Sequence, residues 1–81
     1  MTRAEQALID YTRGAGHYPS HHMMFDQLFS FAKARGVAPA DMEATAQKWQ
    51  RTVWIREQPG GLVFGITQEG HVHAEIIYPA P

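Results

Sequence analysis

By residue type, the chemistry open to this chain lies first with its histidines and carboxylates. His71, His73 and Glu75 alternate near the C-terminus, while His17, His21 and His22 gather in and beside a Gly/Pro-containing segment. Two imidazoles and a carboxylate can ligate zinc or a similar metal, provided the backbone brings them to one point. The alternation puts His71, His73 and Glu75 on one strand face, opposite an apolar face of Val72, Ala74, Ile76 and Tyr78. They therefore read as solvent-facing polar residues, and nothing ties the two histidine groups together. No metal and no cofactor is expected. Ser20 or Ser30 can be drawn into a triad with a histidine and Asp10, Asp26 or Asp41, but no nucleophile-elbow, phosphate-loop or zinc-protease motif surrounds any of them. A chain this short also leaves little room for a deep pocket beside a core. The expectation is a protein that binds and does not catalyse.

Two sets of residues could do the binding. Lys33, Arg35, Lys48, Arg51 and Arg56 could form a positive face for phosphates. The whole chain carries a net charge of −1, with 7 basic and 8 acidic residues, so no long-range field steers it toward nucleic acid. Its histidines add positive charge only as the pH falls toward about 6.5. The second set is apolar. Phe25, Phe29, Phe31, Trp49, Trp54 and Phe64 read first as core, yet three phenylalanines on one helix cannot all point inward. With Tyr18, Met23 and Met24, Phe31 would then line an exposed patch of the kind that marks a protein interface.

Composition bounds the body that positions these residues. At 81 residues, 44% apolar and 19% charged, the chain suits one small globular domain. Such a domain buries roughly 60 to 65% of the surface its unfolded chain exposes. Without cysteine there is no disulfide and no thiolate site, which fits a cytoplasmic setting. The opening residues MTRAEQALIDYTR lack a secretory apolar run, and no stretch approaches the ~20 apolar residues of a membrane span.

Periodicity divides the chain in two. Thr2 and Glu5 have capping-box spacing, and Ala4, Ala7, Leu8 and Tyr11 follow as a helical stripe, which predicts a helix over residues 3–13 closed by Gly14. Ser20 caps a second helix over 21–35 with Met24, Phe25, Leu28, Phe29 and Ala32 as its apolar face, ending at Gly36. Pro39 and Asp41 open a third over 39–50, with Met42, Ala46 and Trp49 inward. The period then changes to two. Strands are predicted over 52–57, 61–67 and 71–78, separated by Gln58-Pro59-Gly60-Gly61 and Glu69-Gly70 and ended by Pro79. The expected fold is α+β, with three N-terminal helices followed by a three-stranded antiparallel β-meander.

One stretch carries a family pattern. Ala32 lies four residues before Gly36, apolar Val37 follows it, and Met42 lies on the next helix. A small residue lets two helices cross closely, and the glycine takes the turn between them. Beyond them, Trp54 to Gly70 ends in Ile66-Thr67-Gln68-Glu69-Gly70, a hydrophobic-Thr-x-x-Gly closure after a Gly/Pro-containing hairpin. Over residues 24–70 the chain resembles the winged helix-turn-helix superfamily. The resemblance implies a winged-helix-like DNA-binding regulator whose third helix reads bases through Ala40, Glu43, Ala44, Gln47, Lys48 and Arg51, with Arg56 near the wing on a phosphate. A homodimer is expected, since one module of this size covers limited DNA. The alternative is a protein-interaction module, such as a small adaptor or an inhibitor encoded by a mobile element. It would use the Met/Phe surface of the second helix or the acidic start of the third. The last strand would leave an edge open for pairing within or between chains.

Overall fold

Among the described residues, 1–15 and 22–81, the computed structural model has the order α1 (Arg3–Ala15), β1 (Met23–Met24), α2 (Phe25–Ala34), α3 (Pro39–Arg51), β2 (Ile55–Glu57), β3 (Val63–Ile66) and α4 (Gln68–Ile77). The class is α+β with a three-stranded antiparallel sheet, and the three predicted N-terminal helices are present. The capping box at the start of α1 forms reciprocally: the Thr2 N–H donates to Glu5 Oε1 and the Glu5 N–H to Thr2 Oγ1, each at 3.1 Å. The helix runs past Gly14 to Ala15. The expected cap Ser20, like His17, Tyr18 and His21, lies outside the described residues.

Helix α2 begins four residues later than the expected start at residue 21. Met23 and Met24 are a short strand paired with Phe64 and Val63, and the Phe25 N–H continues the pairing to the Leu62 carbonyl at 3.1 Å. A run of Met, Met and Phe suits strand and helix equally; the open edge of β3 decides between them. At its far end α2 closes on Gly36 at φ 81°, with the Val37 N–H bonded to Ala32 O and the Gly36 N–H to Lys33 O. This is the Schellman arrangement, in which a left-handed residue lets the chain reverse over the last turn. Ala32, Val37 and Met42 are buried about it, so α2 and α3 cross closely there.

The last predicted strand is a helix. Thr67 caps α4 by accepting the Gly70 N–H at 3.0 Å, while its hydroxyl lies 2.6 Å from Val53 O. The sheet order is β1-β3-β2, so β3 already has a partner on each edge. Along residues 71–78 the alternation of apolar side chains matches a strand, but Gly70 and Ala74, spaced one helical turn apart, are the residues that bury. Val72 and Ile76, expected in the core, are 51% and 72% exposed. The edge expected for strand addition is therefore not present, and His71, His73 and Glu75 do not share a strand face.

The core joins both halves. Leu8, Ile9, Leu28, Met42, Trp49, Ile55 and Phe64 are fully enclosed, drawn from α1, α2, α3 and the sheet. No helix among the described residues is long and apolar enough to cross a membrane.

Candidate functional site

Helix α3 has two unlike sides. Its inner side carries Met42, Ala46 and Trp49 into the core. Trp49 ends there in a polar node: its indole N–H donates to Glu5 Oε2 at 3.2 Å, and Lys48 Nζ lies 3.6 Å from the same oxygen. Trp54 packs edge-on against Trp49 at 5.2 Å and stacks with His73 of α4 at 3.6 Å. Burial pushes the Glu5 carboxyl up, but the Thr2 N–H, the Trp49 indole and the Lys48 ammonium together outweigh it and hold it below its ordinary value. The node is thus an ionised, fully partnered carboxylate that ties α1 to α3, with the ring stack carrying the tie on to α4.

The outer side is open. Ala40, Asp41, Glu43, Ala44, Gln47, Lys48 and Arg51 are all exposed, so α3 presents a free flank along its length. Between that flank, the start of α2 and the hairpin tip lies a groove of ≈ 300 Å³ whose walls include Phe25, Phe29, Glu43, Gln47, Gln50 and Glu57. Phe25 is held by stacking on the buried Phe64 at 4.5 Å. Glu57 shares the sheet register of Phe64, the inward-facing one, but sits past the end of the core. Gly60 and Gly61 turn the hairpin with φ 99° and 75°. A Cβ on Gly61 would fall 3.3 Å from Glu57 Oε1, so the glycine lets the tip lie against that carboxylate.

The cations expected to share one face are split. Arg35 pairs with Asp10 and lies over the Phe31 ring at 4.2 Å, and Lys48 is held by Glu5. Away from these five, Arg3 donates to Arg35 O, and Arg13 to Glu75 and Tyr78 O. Lys33 at the end of α2, Arg51 at the end of α3 and Arg56 on β2 are exposed without an ion pair among the described residues, and Gln47 lies in the groove wall. The apolar patch does not assemble as expected. Met23 is only 2% exposed because it is the inward residue of β1, and Phe31 packs on Tyr11 at 5.5 Å. Met24 alone of the described candidates stays exposed, at 37%.

Of the groove's walls, Glu43 and Gln47 are among the readers expected on α3, Phe25 and Phe29 are expected as core, and Glu57 and Gln50 are not singled out by the sequence. The only local signal for Glu57 was its place just before a Pro-Gly-Gly turn. Among the described residues no three histidine or carboxylate side chains come together as a metal site. No known protein family, curated protein or solved structure matches this chain.

Proposed function

We propose that this chain is a non-catalytic, winged helix-turn-helix-like binding module that works through the outer flank of α3 and the β2–β3 hairpin, and that its partner there is a protein. One observation carries the reading. The flank is exposed from Ala40 to Arg51, and the groove beside it presents Glu43 and Glu57 where a phosphate-binding surface would present cations. The element order supports the winged-helix part. A short strand lies between α1 and α2, two helices cross at Gly36, and a hairpin follows with β3 between its two partners. Helix α4 then occupies the place where many such regulators continue into a helix.

DNA is the second reading, favoured by Lys33, Arg51 and Arg56, which are exposed and not ion-paired among the described residues. On that reading the module would work as a homodimer that reads through Gln47 and Arg51. A cysteine-free chain suits the cytoplasm on either reading. The two separate on a random-sequence duplex at about 50 mM salt, where even a specific DNA-binding protein shows salt-sensitive affinity. The protein reading expects no mobility shift, and a shift abolished by added salt would replace it with the DNA reading.

A further inference from the structure

Resting on the protein-partner reading, we propose that the groove between α2, α3 and the hairpin tip receives a cationic side chain, arginine or lysine, from an exposed segment of the partner. Size comes first. A hollow of ≈ 300 Å³ is at the low end for ligand sites and fits one long side chain better than a cofactor. Its aromatic wall is Phe25 and Phe29, one helical turn apart on α2, with Phe25 fixed by its stack on Phe64. Ring faces attract a cation, and a planar guanidinium gains more from them than an ammonium does.

Charge comes second. Glu43 and Glu57 reach the groove from two different elements, both are exposed, and neither is ion-paired among the described residues. The Gln47 and Gln50 amides add oxygens able to accept from a guanidinium. None of the groove's walls is a lysine or arginine. A phosphate would meet two carboxylates, and an apolar side chain would strip water from them without return. A long cationic side chain satisfies both the rings and the carboxylates.

The experiment titrates the isotopically labelled protein with octa-arginine, and separately with an octapeptide in which citrulline replaces arginine, while following backbone amide shifts. The expected result is saturable movement centred on residues 43–50 and 57–61, absent with the citrulline peptide. Glu43→Gln combined with Glu57→Gln should then weaken octa-arginine about tenfold, as loss of two charge-assisted contacts implies. Groove shifts that persist unchanged in the double variant overturn the proposal, and so do shifts spread evenly over Asp26, Asp41 and Glu69. Duplex DNA supplies the separate arm. If neither octa-arginine nor DNA moves the groove amides, the cation proposal falls and the broader protein reading survives. If DNA moves them at low salt, the protein reading itself falls.

Discussion

Glu5 and Glu43 are glutamates beside the same helix, and the structure uses them in opposite ways. Glu5 is 6% exposed, and its carboxylate meets the Thr2 N–H, the Trp49 indole and the Lys48 ammonium. Glu43, with Glu57 across the groove, is exposed and has no ion-pair partner among the described residues. A buried charge must be satisfied from within the fold, whereas an exposed one is satisfied by water and can exchange water for a partner. The inner side of α3 is therefore committed to holding the domain together. The outer side is left free to bind.

The largest effect should come from the joint between the inner side and α4. A Cβ on Gly70 would lie 1.9 Å from the Trp54 carbonyl oxygen, which is backbone and cannot turn aside. Alanine ordinarily improves a helix by up to ~1 kcal/mol over glycine, but a forced shift of packed backbone costs more. Gly70→Ala should lose about 3 kcal/mol in urea unfolding. A neutral or stabilising result would show that α4 does not pack there.

Next comes the node itself. Glu5→Ala removes a cap and leaves the Trp49 indole N–H unpartnered in the core, a loss of about 2 kcal/mol by chemical denaturation. The exposed Lys48 adds little to that figure. Because the folded carboxyl titrates below its ordinary value of 4.5, its contribution is complete above that value and fades as the pH falls through the lowered folded one. Glu5→Gln should accordingly flatten the acid limb of the stability profile, and an unchanged limb would remove Glu5 as its cause.

A smaller effect, opposite in sign, belongs to Val53. Helix α3 ends as α2 does: the Trp54 N–H bonds to Trp49 O and the Val53 N–H to Gln50 O. Here, however, the left-handed position at φ 60° is held by a β-branched residue. That strain costs roughly 1 to 2 kcal/mol, against about 0.5 to 1 for the freedom a glycine loses. Val53→Gly should therefore raise stability by about 0.5 to 1 kcal/mol, visible as a higher melting temperature. The smallest effect is expected on the outer side. Glu43→Gln with Glu57→Gln should leave the urea midpoint unchanged, and a large fall would mean that these carboxylates serve the fold after all.

The two helix ends show how much of this was legible. Gly36 was readable as the close of α2, because glycine advertises a left-handed residue. Val53 in the same role is not, since valine locally argues for a strand and extends the expected one back over residues 52–53. The groove was half legible. Glu43 and Gln47 follow from the helical repeat of α3, but Glu57, Phe25 and Phe29 join them only when the hairpin folds back over the start of α2.

The amino-acid order alone determined the features set by near neighbours: the Thr2/Glu5 cap, the Pro39 start, the Gly36 turn, the Pro-Gly-Gly hairpin, the inward Met42, Ala46 and Trp49 of α3, and part of the inward stripes of α1 and α2 (Ala4, Ala7 and Leu8; Leu28 and Ala32). Only the tertiary structure decided which strand completes the sheet. Once β1 takes the free edge of β3, residues 68–77 cap on Thr67 and coil as a helix, although their alternation suits a strand equally. The physical reason is that side-chain periodicity reports which residues prefer burial, while the pairing of a backbone edge depends on which distant segment reaches it.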